Sequence, residues 1–194
     1  MKRILDVLLS LLGLILLTPL LLLFSLIIVL TSKGGVFFKQ IRIGKNGKEF
    51  TIYKFRTMHK NNSNNDLLTI GNDKRITSFG KILRATKLDE LPQLFNIIIG
   101  DMSLVGPRPE VKEYVNLYTA AQRKVLEVKP GLTDYASIKF LDEAKILATF
   151  SNPKQAYINE IMPEKIRINL AYLQKRTLFT DVKVLFLTVL KIVF

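Results

Sequence analysis

Asp89 and Glu90 stand side by side in "ATKLDELPQLFN", although the 194-residue chain has 16 acidic residues against 29 Lys and Arg and a formal charge of +13. A single histidine, His59, and the absence of cysteine argue against thiolate metal sites and histidine triads, so chemistry falls to carboxylates, amines, guanidinium groups and hydroxyls. The two acids have cationic company. Arg84 precedes Asp89 by five positions, Arg56 lies in "YKFRTM", and Arg108 sits between Pro107 and Pro109, a stiff setting that suits bidentate phosphate recognition. Several cations and two acids beside a membrane segment suggest phosphate chemistry with Mg²⁺. Each part also has a plainer reading. Asp89 can cap a helix whose first turn holds Glu90 and Pro92, and Pro-Arg-Pro can be a rigid turn with a solvated side chain.

The elements that must position these residues are legible from periodicity. Leu83, Leu88, Leu91, Leu94, Phe95 and Ile98 show three- and four-residue spacings, which predicts helix from Ile82 with a break at Asp89 and an end at Gly100. A further helical pattern runs through Val111, Tyr114, Val115 and Tyr118. Upstream, β-rich runs flank Asn46-Gly47, a pair suited to a type I′ turn, so Val36 to Met58 reads as a hairpin. Eight basic residues from Lys33 to Lys60 face a lone Glu49, a strip that suits anionic lipid headgroups. Lys60 to Leu68 reads as a polar loop, either plain surface or a lid over a site.

Val7 to Leu30 is 24 residues without a charge, enough for roughly 36 Å of helix. Its length, and the lack of a small-residue cleavage site in "TSKGGVFFKQ", argue against a cleaved signal peptide. Lys2 and Arg3 precede it and Lys33, Lys39, Arg42, Lys45 and Lys48 follow, so both ends carry the basic signature of the cytoplasmic side. Thr18-Pro19 lies at its midpoint, where proline removes a donor and favours a kink. These features predict a re-entrant helix, with a kinked spanning helix as the alternative. Asp6, one turn from Lys2 and Arg3, reads as an anchoring residue.

Taken in order, "KRILDVLL", "YKFRTM", "RITSFGKILRATKLDELPQLFNIIIGDMSLVGPRPE" and "VKPGLT" resemble the bacterial sugar transferase family over nearly the whole chain, specifically its small monotopic phosphoglycosyl transferases. The resemblance implies transfer of a phosphosugar from a UDP-sugar to polyprenyl (undecaprenyl) phosphate, giving polyprenyl diphosphate-sugar and UMP. It implies a covalent aspartyl intermediate, Mg²⁺ as cofactor, and a place at the start of glycan assembly with downstream glycosyltransferases as partners. It also implies the bacterial inner membrane, with the catalytic domain on the cytoplasmic face. Carried over by position, Asp89 matches the nucleophile and Glu90 the acid associated with Mg²⁺. Arg84 and Arg108, with its flanking Pro107 and Pro109, match the substrate site, and Lys54 and Arg56 match a basic pair after the hairpin. Thr18 and Pro19 match the helix break.

One departure stands out. Where many members read Pro-Gly-Ile-Thr-Gly, this chain reads "PGLTDYASI", with Asp134 in the glycine position. The loop from Lys129 to Ile138 is a candidate for selecting the nucleotide sugar, and a turn between helices at Pro130-Gly131 is the competing reading. Val182 to Phe194 is apolar but only 13 residues long, which suits an interfacial helix; packing against the body is the alternative. The architecture expected is α+β, mostly helical and membrane-associated with a short β-hairpin. It divides into an anchor over 1–32, a catalytic domain over 33–180 and an interfacial helix over 181–194. A membrane phosphohydrolase working through an aspartyl phosphate, or a basic membrane scaffold, are the alternative classes. A nucleic-acid partner is not expected, because it would leave the paired acids and proline-flanked arginine without a role.

Overall fold

The computed structural model describes residues 1–59, 68–71 and 73–194, so the polar stretch from Lys60 to Leu68 expected as a loop lies, but for Leu68, outside the described residues. The chain is mostly helical. Helix α1 (Lys2–Thr31) is long and apolar enough to cross a membrane, and it runs uninterrupted through Pro19. The expected break at Thr18-Pro19 is therefore no interruption of the helix. Proline leaves the Ile15 carbonyl without its helical donor, while the Thr18 hydroxyl donates to Leu14 O at 2.7 Å.

Only one face of α1 is covered. Asp6, Ser10, Leu14, Phe24 and Ile28 are buried at near-helical spacing, while Leu8, Leu12, Leu16, Leu23, Leu26 and Leu30 are exposed. Both ends of the covered face rest on the same body. At the N-terminal end Arg3 donates to the carbonyls of Ile97 and Ile98, and Asp6 accepts from Ser103 Oγ at 2.7 Å and Leu104 N at 3.3 Å. At the other end Phe24 and Ile28 pack with Phe55 and Leu83. Asp6 thus anchors as expected of it, pairing with Lys2 at 3.7 Å and tying α1 to the body through Ser103 and Leu104.

Strands β1 (Phe37–Ile43) and β2 (Glu49–Phe55) form the antiparallel hairpin, with Phe37 opposite Phe55 and Ile43 opposite Glu49. Asn46 and Gly47 both take positive φ, 57° and 76°, as a type I′ turn requires. The strip of basic residues is not uniformly outward. Arg42 pairs with Glu110 at 3.1 Å, Lys54 with Glu90 at 2.8 Å, and Arg56 donates to the carbonyls of Gly35 and Phe37, so three of its charges serve the fold and the cleft.

Helices α2 (Ser78–Ala85) and α3 (Gln93–Ile99) follow, with Leu88–Glu90 between them as a 3₁₀ turn. An isolated seven-residue helix does not form in water, so α3 depends on burial of Leu94 and Ile97, about 1.5–3 kcal/mol for each side chain. Gly100 ends it at φ 112°. Strand β3 (Ser103–Val105) pairs in parallel with β4 (Gly131–Thr133), so Pro130-Gly131 leads into a strand rather than forming a turn between helices. Between them lies the short α4 (Lys112–Val115), and after them come α5 (Tyr135–Lys139), α6 (Glu143–Leu147), α7 (Pro153–Ala156) and α8 (Met162–Gln174).

Helix α9 (Leu178–Val193) begins at a Thr177–Thr180 capping box and does two jobs. Its inner face, with Val184 fully buried, joins the core that gathers Leu14, Ile52, Leu94, Ile97, Met102 and Tyr172. Its outer face exposes Phe179, Val182, Phe186 and Val189. Lys2 reaches Asp181 at 2.5 Å, which ties the start of α1 to the start of α9.

Candidate active site

Asp89 and Glu90 are placed by the way α2 stops. The Thr77 hydroxyl caps α2 by accepting from Gly80 N at 2.9 Å, and Gly80 lies so close to β2's exit that a Cβ there would meet Thr57 O at 2.2 Å. The helix ends at Ala85, and Lys87 takes the left-handed conformation, φ 55°, turning the chain into the 3₁₀ turn. This corrects the expected cap. The break precedes Asp89, Pro92 holds the position before α3, and the Asp89 side chain caps nothing.

Both acids are buried, and their surroundings differ. Arg108 donates from Nη1 to Glu90 Oε2 at 3.0 Å and from Nη2 to Oε1, and Lys54 Nζ lies 2.8 Å from Oε1. Asp89 Oδ1, in contrast, has no hydrogen-bond partner among the described residues. Burial, and next the charge of Glu90, raise the Asp89 carboxyl above its usual value. Burial alone would raise Glu90 too, but Arg108 and Lys54 outweigh it and hold Glu90 well below the usual carboxylate range. Glu90 raises the Arg108 guanidinium in turn, against the opposing effect of burial.

The two cations are held from different directions. Lys54 lies on β2, which α3 grips through Asn96, whose Oδ1 accepts from Tyr53 N at 3.1 Å and whose Nδ2 donates to Thr51 O at 2.7 Å. Arg108 follows β3 in a loop pressed against β4. Gly106 and Gly131 meet so closely that a Cβ on Gly131 would lie 2.1 Å from Gly106 N, and Gly131 N donates to Pro107 O at 3.0 Å. The Arg108 N–H donates to Asp134 Oδ2 at 2.7 Å.

Arg84, Lys54, Arg108, Pro107, Pro109, Asp89 and Glu90 all line one cleft of about 1160 Å³, room for more than one substrate. Arg84 donates to Thr69 Oγ1 at 3.0 Å and keeps Nη1 buried without a partner among the described residues. Arg56 does not line the cleft; it braces the base of the hairpin. Thr18 and Pro19 lie on α1, away from the cleft lining. Sequence reasoning missed Lys87, which lines the cleft, and the Arg42–Glu110–Tyr157 array that lines it too, where Tyr157 donates to Glu110 Oε2. Neither carries a local sequence signal, since one depends on a backbone reversal and the other on contacts between distant segments.

An electropositive cleft with two buried acids, one clamped by cations and one with a spare oxygen, is equipped to accept phosphates and attack one of them. A profile of the family described as "Bacterial sugar transferase" matches residues 1–194. The chain belongs to the bacterial sugar transferase family. It is 38% identical over 195 residues to a UDP-glucose:undecaprenyl-phosphate glucose-1-phosphate transferase of Klebsiella pneumoniae, an alignment covering 98% of this chain and 39% of that protein. It is 40% identical over 177 residues to the uncharacterized sugar transferase EpsL of Bacillus subtilis, covering 90% of this chain and 79% of that one. A UDP-N-acetylgalactosamine-undecaprenyl-phosphate N-acetylgalactosaminephosphotransferase of Aeromonas hydrophila is 38% identical over 143 residues, 71% of this chain and 33% of that protein. This family member therefore spans well under half the length of the Klebsiella and Aeromonas relatives.

Proposed function

We propose that the protein transfers a phosphosugar from a UDP-sugar to polyprenyl phosphate, releasing UMP and forming polyprenyl diphosphate-sugar as a first membrane step of glycan assembly. The observation that carries this reading is the unpartnered Asp89 Oδ1 next to a Glu90 already neutralised by Arg108 and Lys54. Relatives whose names contain undecaprenyl-phosphate sugar-phosphate transferase activities support the reaction class. Their names differ in the sugar, glucose against N-acetylgalactosamine, so they do not choose the donor here.

In the first step an Asp89 oxygen attacks the phosphorus that bears the sugar. A bond from Asp89 to phosphorus forms, the bond from that phosphorus to the bridging oxygen breaks, and UMP leaves with that oxygen. In the second, a phosphate oxygen of the lipid attacks the same phosphorus and the Asp89 carboxylate is regenerated. Splitting the displacement lets a soluble donor and a lipid acceptor use one cleft in turn. Arg84, Lys87 and Arg108 neutralise charge that develops on the phosphates, while Lys54 and Arg108 keep Glu90 ionised beside them.

Mg²⁺ is the proposed cofactor, and the donor set is compatible with it. Glu90 Oε2 carries one hydrogen bond and so retains an acceptor position, Asp89 Oδ1 carries none among the described residues, and no cluster of three or more metal-ligating side chains occurs among those residues. That suits an ion held by one carboxylate, Glu90, with substrate phosphates supplying further oxygens. When bound, the ion would neutralise phosphate charge and ease departure of UMP.

The membrane arrangement we propose has α1 inserted without crossing, so that both its ends and the catalytic body share the cytoplasmic face. The support is that Arg3 and Asp6 near one end and Phe24 and Ile28 near the other all dock on the same body. A helix crossing away from that body would separate those contacts by the bilayer, about 30 Å. The exposed apolar face of α9 would share the interface.

The decisive assay supplies nanodisc-embedded protein with a panel of UDP-sugars, polyprenyl phosphate and Mg²⁺, and follows UMP and lipid-linked product. Mass spectrometry of donor-treated protein should find a phosphosugar on Asp89. Free sugar phosphate without lipid product would replace the transferase reading with a phosphohydrolase.

A further inference from the structure

Two orphaned polar atoms belong to cleft residues outside the cluster that handles phosphate. Asn169 on α8 is 4% exposed, and its Oδ1 is buried without a hydrogen-bond partner among the described residues. Ser137 on α5 leaves its Oγ in the same condition. Both residues line the cleft. Buried polar atoms rarely lack partners, and two in one wall call for a ligand.

Their orientation is set by Asp134, which is 1% exposed. Its Oδ1 accepts from Ser137 N, and its Oδ2 accepts both from Asn169 Nδ2 at 3.1 Å and from Arg108 N at 2.7 Å. An ionised carboxylate only accepts, so Asn169 must turn its amide nitrogen toward Asp134, which leaves Oδ1 as a spare acceptor. The Arg108 N–H is also the sole backbone donor in Pro107-Arg108-Pro109, since proline has none. One buried carboxylate therefore fixes both the arginine that flanks the reacting phosphate and the two residues with orphaned atoms.

We propose that Ser137 and Asn169, oriented by Asp134, form a subsite for the polar ring substituents of the transferred sugar. A hydroxyl or acetamido N–H donates to Asn169 Oδ1, and a hydroxyl exchanges a hydrogen bond with Ser137 Oγ. This deepens the phosphosugar-transfer reading and rests on it. The sugar is the part of the donor bonded directly to the phosphorus that Asp89 attacks, and Asp134 links these residues to that point through Arg108. A prenyl chain could satisfy neither atom. In this arrangement Asp134 is a positioning residue, and Ser137 and Asn169 determine specificity.

The test is calorimetry on full-length nanodisc-embedded protein in an Asp89→Asn background, which prevents turnover. UDP is compared with UDP-glucose, UDP-galactose, UDP-N-acetylglucosamine and UDP-N-acetylgalactosamine, with and without Asn169→Leu or Ser137→Ala. At least one UDP-sugar should bind more tightly than UDP. That sugar-dependent gain should shrink by about tenfold in Asn169→Leu and by less in Ser137→Ala, with affinity for UDP unchanged. Ser137→Ala keeps the backbone N–H that Asp134 accepts, so it guards against misfolding. The proposal is overturned if the gain survives both substitutions, if UDP affinity falls in parallel, or if no sugar improves on UDP. UMP release with Asp89 restored is scored separately. A sugar-dependent gain without UMP release would remove the transferase reading and leave the subsite standing.

Discussion

Arg108 engages both oxygens of Glu90 with both terminal nitrogens of its guanidinium. A lysine at 108 could supply the charge but not the fork. Arg108→Lys should lower the rate of UMP release by about 10²–10³-fold, the scale seen when one donor to a transition state is removed. Arg108→Met goes further, leaving Glu90 buried with Lys54 alone, and should cost about 3 kcal/mol of stability. Glu90 has a depressed folded value, so its stabilisation is present above its ordinary value, 4.5, and lost as pH falls through the depressed one. Thermal unfolding of both variants across pH checks the stability claim, and near-normal turnover by Arg108→Lys would refute the bidentate role.

Asp89 has the opposite linkage. Its folded value lies above the ordinary 3.8 because burial and Glu90 disfavour the charge. The stabilisation of such a group is present below its unfolded value and lost as pH rises through the folded one, so ionised Asp89 weakens the fold at neutral pH. Asp89→Asn should therefore abolish UMP release yet raise the melting temperature at pH 7, with the gain vanishing in acid. Wild-type turnover should show an acidic limb above the usual carboxylate range. Loss of activity accompanied by a lower melting temperature at pH 7 would mean that Asp89 is structural.

Much of this site was readable from order and composition, and what was not depends on contacts far apart in sequence. The hairpin turn was visible because Asn46-Gly47 suits positive φ, and the end of α3 because glycine suits it too. The cap assigned to Asp89 failed because a left-handed Lys87 moved the break upstream, and lysine gives no warning of that conformation. The parallel β3–β4 pair was hidden because three-residue strands show no alternation. Arg56 and Lys54 carry the same charge two positions apart, a spacing that strand alternation puts on one face, yet only Lys54 faces Glu90. Parity alone would have kept them together; Arg56 lies one residue beyond β2, where its guanidinium instead finds the carbonyls of Gly35 and Phe37.

The Gly106–Gly131 crossing carries a prediction about the distant Arg108. A methyl group at 131 would lie 2.1 Å from Gly106 N and 2.3 Å from Gly106 O, and neither is a side chain that can yield. Gly131→Ala should force β3 and β4 apart, break the Gly131 N to Pro107 O bond and displace Arg108. The expected result is a melting temperature lowered by several degrees together with loss of UMP release. Gly47→Ala is the control: it strains a positive φ but meets no atom within 4 Å, so it should cost about 1 kcal/mol and leave activity largely intact.

The placement of α1 can be read chemically because the chain has no cysteine. A single cysteine inserted after Met1, and another replacing the exposed Lys33, mark the two ends of the helix. Docking of both ends on one body requires both labels to sit on the same side of the bilayer. A membrane-impermeant maleimide should therefore modify both in inverted vesicles and neither in right-side-out vesicles. Opposite labelling of the two positions would establish a crossing helix. The body could then not hold Arg3 on the Ile98 carbonyl while packing Phe24 and Ile28 against Phe55 and Leu83, because those contacts would lie across the hydrocarbon core.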